Sequence, residues 1–396
     1  MPVTLPEQFE EFSAQQKKGF LAVKALKDQG KQVCGAFCQY TPAEIIMAAG
    51  LTQVILCGRS HLPIKTAETQ LPANLCPLIK ASYGHVLEDS CPYAYFSDVV
   101  VGETTCDGKK KMYELLAQKK MMQCIHLPNL PDYERSLEMW TEELRAFTRG
   151  MEEKFNVKIT DEMLNEAIKW CNQERRQTAR LYELGKLDPP AITGYQMQQV
   201  EDGQAFIFDR DEKLARLTAV NDQIEQEWKE GKYAMEPDPY RPRLLVSGTG
   251  LAAVTEKTIK VAEELGAQIV CYEGCNGIAA RRRLIDEDES RDPMVRIAEK
   301  YIEVPCAVVS PNNRRMEQVA ATIDEWSVDG YLALTLHSCN PFAIETENVR
   351  RVCEKKDVPL LHISTDFTPG DEGQIRTRLQ AFIEMIRAKK EAKLNG

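Results

Sequence analysis

Two stretches of this chain alternate short apolar runs with helical patterns, and that alternation limits the fold more than any other feature. In the first stretch, residues 33–37, 53–57, 98–101 and 122–127 read as strands. In the second, 243–247, 268–272, 331–336 and 360–363 do. Strands separated by helix-length segments pair in parallel and need crossover helices on both faces of the sheet. The expected fold class is therefore α/β, with two Rossmann-like, doubly wound parallel lobes. Residues 131–236 differ: they are rich in Glu, Arg, Lys and Gln, carry Trp140, Trp170 and Trp228 on apolar stripes, and read as a helical segment. The sequence thus divides into an N-terminal lobe at 1–130, a helical segment at 131–236 and a C-terminal lobe at 237–396, with the proline-rich run around Pro237, Pro239 and Pro242 as the linker.

The chain is long enough, at 396 residues, for more than one core. No apolar run approaches the length of a membrane span. The first 24 residues are polar and lack a signal-peptide core. These readings place the protein in the cytoplasm, away from membranes. A net charge of −10 without a long basic block argues against nucleic acid as a partner.

Thirteen cysteines are too many, and odd in number, for a disulfide framework in a reducing compartment. Cys57, Cys124, Cys171, Cys271 and Cys353 lie in apolar or helical surroundings and read as small buried hydrophobes. The others sit beside Pro, Gly, Asn or Asp, in turn chemistry. Cys38 ends the first strand. Cys76-Pro77 and Cys91-Pro92 follow. Cys106 stands at a strand-to-helix turn, where backbone N–H groups and the helix dipole favour a thiolate. Cys275, Cys306 and Cys339 occupy comparable places in the second half. After Cys38, Thr41-Pro42-Ala43-Glu44 has the pattern of an N-cap, a first-turn proline and a capping box. Glu44 is carried both as that capping residue and, with Cys38, as a catalytic candidate. Lys109, Lys110 and Lys111 read as a solvated first helical turn, or as a cationic cluster that docks a partner or shields negative charge.

Four chemistries compete for these residues. Gly248-Thr249-Gly250 is a fragment of a dinucleotide fingerprint, with alanine at the third position and Glu273 as the only acid in place. Cys34 with Cys38, and Cys271 with Cys275, are separated by three residues and could form zinc pairs, but one member of each lies inside or beside a strand and faces the core. His337 two residues before Cys339 permits a cysteine–histidine nucleophile. An iron–sulfur cluster fits best, because it takes soft ligands from separated loops. Cys76, Cys106 and Cys339 would supply three thiolates, with Cys38, Cys91, Cys275 and Cys306 as further cofactor-binding candidates.

Several motifs resemble the superfamily of 2-hydroxyacyl-CoA dehydratases, benzoyl-CoA reductase subunits and double-cubane cluster proteins. They are Tyr40-Thr41-Pro42-Ala43-Glu44, Leu75-Cys76-Pro77-Leu78, Cys91-Pro92-Tyr93 and Gly102-Glu103-Thr104-Thr105-Cys106-Asp107-Gly108-Lys109, with Thr365-Asp366 and Asp371-Glu372-Gly373 near the end. The resemblance implies two lobes holding a [4Fe–4S] cluster, or a sulfide-bridged [8Fe–9S] double cubane. It further implies a homodimer and a transient partner, an ATP-hydrolysing iron–sulfur activator that delivers low-potential electrons. The activity implied is radical dehydration of a 2-hydroxyacyl-CoA or reduction of a small molecule, under anaerobic conditions. Thr249 and Val308 stand where double-cubane relatives carry cysteine, which favours at least one cubane on Cys76, Cys106 and Cys339. The alternatives are a non-catalytic electron-transfer or maturation protein and a cluster-free ligand-binding member.

Overall fold

The computed structural model describes residues 7–56, 58–128, 133–249, 253–274 and 277–395. The first lobe runs through α1 (Glu7–Asp28), β1 (Val33–Ala36), α2 (Ala43–Ala48), β2 (Thr52–Ile55), α3 (Ile64–Ala67), α4 (Pro77–Leu87), α5 (Pro92–Phe96), β3 (Val99–Glu103), α6 (Asp107–Leu116) and β4 (Met122–Ile125). Its strands pair in parallel in the order β2-β1-β3-β4. The run Val99-Val100-Val101 is wholly buried, as expected where helices cover both faces of a parallel sheet and β-branched residues fill the pleat.

Four helices follow: α7 (Tyr133–Phe155), α8 (Asp161–Lys186), α9 (Gly194–Gln204) and α10 (Arg210–Lys229). Each of the last three starts at a side-chain cap: Thr160 accepts from the Met163 N–H, Thr193 from Gln196 and Asp209 from Glu212. The second lobe then opens with β5 (Arg243–Gly248) and a π-helical turn at Glu256–Lys260 that passes into α11 (Val261–Glu264). It continues with β6 (Gln268–Glu273), α12 (Ile278–Arg282), α13 (Pro293–Tyr301), α14 (Asn313–Glu325), β7 (Gly330–Leu336), α15 (Asn340–Lys355), β8 (Leu360–Thr365) and α16 (Glu372–Asn395). Its strand order, β6-β5-β7-β8, is also all parallel and repeats the topology of the first sheet. In each sheet the chain reverses direction of growth between the first and third strands, the place where open α/β sheets bind ligands.

The two lobes are laced together by segments that pack on both. α8 spans about 39 Å at 1.5 Å per residue. Its Leu164 and Ile168 join the core beside the first sheet, while Leu181 and Tyr182 join the core of the second. In the other direction, Ile285, Met294, Ile297, Tyr301 and Val304 follow the second lobe's β6 in sequence, yet they pack with Cys34, Val99, Val101 and Trp140 of the first. The Tyr40 hydroxyl donates to the Val304 carbonyl at 3.1 Å, and the Ala43 N–H donates to the Tyr301 hydroxyl at 3.1 Å. No described helix is long and apolar enough to cross a membrane.

Two local expectations are corrected. α2 has no side-chain cap: the Thr41 hydroxyl bonds to Glu103 instead, and the Glu44 carboxylate turns into a buried ion pair. Tertiary partners outcompete the local capping box because both side chains are buried beside charged groups that need them. α6 begins at Asp107, so the lysine run falls in its first turn, but Lys109 is drawn inward to the Phe37 carbonyl instead of being solvated.

Candidate functional site

Four of the cysteines singled out by turn chemistry occupy N-cap positions. Cys76 precedes α4, Cys91 precedes α5, Cys106 precedes α6 and Cys339 precedes α15, and none of the four makes a side-chain cap bond. The Cys-Pro pairs have a positional logic: proline fits the first helical position, where no N–H is needed, and so places the cysteine at the cap. A thiol at a helix N-terminus lies in the field that stabilises its anion.

The loops bring three of these thiols to one end of a cleft between the lobes. Cys76 and Cys339, from different lobes, are within hydrogen-bonding reach of each other, and the charge of Cys106 acts on Cys339. All three line a cavity of ≈ 930 Å³. The bond from Cys339 lowers the Cys76 thiol to about 7, with help from the backbone N–H groups of Ile79 and Leu78. Sharing that proton, and burial, push Cys339 up. Packing here is close: a Cβ on Gly108 would lie 2.9 Å from the terminal methyl groups of Leu75 and Ile79, which would have to shift to admit it. On the other side, Ser338 takes a left-handed φ of 59°, which turns the chain from β7 into α15 at Cys339.

Cys38 and Cys306 line the same cavity and act on each other electrostatically. Burial, then Glu103, push the Cys38 thiol up to about 12. Cys306 is buried, and Asn312 holds its carbonyl at 2.9 Å. Cys91 does not line this cavity; its helix α5 packs against α1. Cys275 lies outside the described residues, as does Cys57. None of the described cysteines is in a disulfide. Among the described residues, no group of three or more His, Cys, Asp or Glu side chains is placed to hold a single metal ion.

Charged groups lie near the thiols: Lys109, which the sequence singled out, and Glu103, for which it offered no role. Lys109 donates to the Phe37 carbonyl at 3.2 Å and sits 5.8 Å from the Phe37 ring centroid. Burial opposes its charge, but Tyr113, Cys38, Glu103 and Cys106 together raise its pKa, so it stays a cation at the thiols' back. Lys110 and Lys111, by contrast, keep to the surface and pair with Asp107 and Glu114. Glu103 is fully buried; burial raises its carboxyl to about 7 against the pull of Lys109 and Thr41, and its Oε2 has no partner among the described residues.

Glu44 belongs to a second charged cluster. Arg175 reaches its Oε1 at 2.5 Å and the Tyr301 hydroxyl donates to its Oε2 at 2.9 Å. Burial alone would raise Glu44, but Arg175 and Lys300 hold it below the ordinary carboxylate value. Nothing in the spacing of α8 or α13 marked Arg175, Lys300 or Tyr301, because their partner lies more than a hundred residues away.

In the second lobe Arg315, 2% exposed, clamps three elements. It meets both oxygens of Glu273 at 2.9 Å and also pairs with Glu345 and Ser247. Asn312 links Glu345 to the Cys306 loop, so the clamp ties the ends of β5 and β6 to the first turns of α15.

Comparison with known proteins agrees with this arrangement of parts. The family model described as 2-hydroxyglutaryl-CoA dehydratase, D-component, matches residues 38–386. YjiM of Escherichia coli strain K12, provisionally named a dehydratase subunit, is 40% identical over 96% of this chain and 98% of its own length. The (R)-phenyllactyl-CoA dehydratase beta subunit of Clostridium sporogenes is 24% identical over 92% of this chain and 94% of its own. The (R)-2-hydroxyglutaryl-CoA dehydratase beta subunit of Acidaminococcus fermentans is 23% identical over 96% and 99%. The chain belongs to the 2-hydroxyglutaryl-CoA dehydratase D-component family.

Proposed function

We propose that this chain is an iron–sulfur component that dehydrates a 2-hydroxyacyl-CoA or reduces a small molecule, fed by an ATP-hydrolysing activator and working as a cytoplasmic homodimer. The observation that carries the reading is the meeting of Cys76, Cys106 and Cys339, from two lobes, at one end of the interlobe cavity. Soft thiolates from separated helix caps are the donor set a [4Fe–4S] cluster takes, and a cluster spreads its ligands more widely than a single ion does. Cys76, Cys106 and Cys339 would hold it, and when bound it would supply single electrons at low potential. Cys38 and Cys306 face the same space as candidates for a second cubane.

The chain's own residues would do the rest. Lys109 offsets negative charge behind Cys38 and Cys106. Glu103 can hold or release a proton near neutral pH at its carboxyl, next to the Thr41 hydroxyl. The cavity volume lies in the range of small-molecule sites, and its walls come from both lobes. Relatives named as beta subunits support a protein partner.

Anaerobic purification with iron and sulfide analysis and electron paramagnetic resonance tests this. About four irons per chain, or about eight for a double cubane, are expected. A chain with essentially no iron and no cluster absorbance leaves the cluster-free ligand-binding reading. A loaded cluster with no turnover of acyl-CoA or small oxidant, activator and ATP present, leaves the electron-transfer or maturation reading.

A further inference from the structure

One wall of the cavity carries an excess of basic side chains. Arg59, Arg175, Arg210, Lys213, Arg281 and Lys300 line it, against three acids. Each acid is already engaged: Asp202 with Arg59 at 2.9 Å, Glu174 with Lys213 at 3.4 Å and Glu201 with Arg281 at 3.5 Å. Arg175 is held from behind by Glu44. Lys300 is left over. It is 92% buried, being 8% exposed, and its Nζ makes no hydrogen bond or ion pair with any described residue; the Nζ sits 3.9 Å from the centroid of the Tyr301 ring.

A buried ammonium without a counterion is costly, because desolvation is not repaid by a partner. Here the neighbours add to that cost. Burial, then Arg175, hold the Lys300 pKa well below its ordinary value, Arg281 works in the same direction, and the opposing pull of Glu44, which is already paired with Arg175, does not make up the difference. An anion placed among these groups would relieve all three at once. It would also gain charge-assisted hydrogen bonds.

We propose that this wall is an anion subsite, in which Lys300 Nζ, flanked by Arg175 and Arg281, binds the carboxylate or phosphate group of the molecule that occupies the cleft. A ligand anchored there would lie in the same cavity as Cys76, Cys106 and Cys339. The subsite does not depend on a cluster, so iron content and anion binding are separate measurements that can fail separately.

Isothermal titration calorimetry tests it on the full chain as purified, with glutarate, inorganic phosphate and the uncharged diamide of glutarate as probes. Each titration is run in two buffers of different ionisation enthalpy. Glutarate or phosphate binds with net proton uptake, as Lys300 regains its proton, and the diamide does not bind. Binding of glutarate alone assigns a carboxylate, and of phosphate alone a phosphate; either supports the subsite. Lys300→Met weakens binding about tenfold or more and removes the proton uptake. If that variant does not fold, Lys300→Arg gives the answer: it binds the anion without proton uptake. Failure of both anions to bind the wild type overturns the proposal, as does equal affinity in Lys300→Met or undiminished proton uptake in Lys300→Arg.

Discussion

The first and second sheets have the same strand order and the same parallel pairing, yet their switch points carry different chemistry. Between β1 and β3 the first lobe presents Cys38 and Cys106, with Cys76 alongside and Lys109 behind. At the corresponding edge of β5 and β7 the second lobe has Thr249 where the first has Cys38, and keeps Cys339 opposite Cys106. Their buried glutamates differ in the same sense. Glu103 in the first lobe has burial as its dominant influence and titrates near 7. Glu273 in the second is equally buried, but Arg315 overcomes the burial and holds it below the ordinary value. Burial dominates at one glutamate, and an ion pair dominates at the other. Topology alone therefore does not place the chemistry; the loops at the strand ends do.

Substitutions can break this comparison, beginning with the largest effect. Cys106→Ala is expected to remove nearly all cluster iron and activity together, measured as iron per chain and turnover. Thr249→Ala, at the second lobe's counterpart of Cys38, is expected to leave iron content unchanged. Wild-type iron in Cys106→Ala would show that the first lobe's edge is not the ligand-bearing one.

Arg315→Met leaves two buried carboxylates without their cation and should cost about 3–5 kcal/mol in urea unfolding. That loss should exceed any from a charge change at the first lobe's edge, where Glu103 can neutralise itself by taking a proton.

The sign of the pH effect separates the two glutamates. Glu103 binds its proton more tightly folded than unfolded, so its contribution to stability is complete below about 4.5 and is lost as pH rises through about 7. Between pH 6 and 8 it should lower unfolding free energy on the order of 1 kcal/mol, a slope that Glu103→Gln removes. Glu273 behaves oppositely: its contribution is present above the ordinary carboxylate value and fades as acid reaches its depressed folded pKa. Smallest of all, Lys111→Ala breaks only an exposed pair with Glu114 and should change stability by no more than about 0.5 kcal/mol. A larger loss would mean that the lysine run is not divided into one inward and two outward side chains.

Much of the fold is legible in the sequence because strand and helix periods are local. The buried run 99–101 and the helix after Cys106 are written in consecutive residues. The thiols are legible for the same reason, since Pro, Gly and Asp beside a cysteine mark a turn. What the local pattern misread is instructive. Thr41 and Glu44 have the spacing of a capping box, but each finds a stronger partner across the molecule, Glu103 for one and Arg175 for the other. Lys109 is chemically the same as Lys110 and Lys111, and only the helix phase turns it beneath the thiols.

By itself the sequence determined the two α/β lobes, the helical stretch between them, the family, and the cysteines that stand at turns. Only the tertiary structure decided that Cys76, Cys106 and Cys339 share one end of a cleft while Cys91 does not line it. It alone returned residues 285–306 to the first lobe and left Lys300 beside Arg175 and Arg281 with no ion pair of its own among the described residues. The physical reason is one of range. Propensity, capping and turn chemistry act within a few residues, whereas burial, ion pairing and the pKa shifts they cause depend on which distant segments pack together.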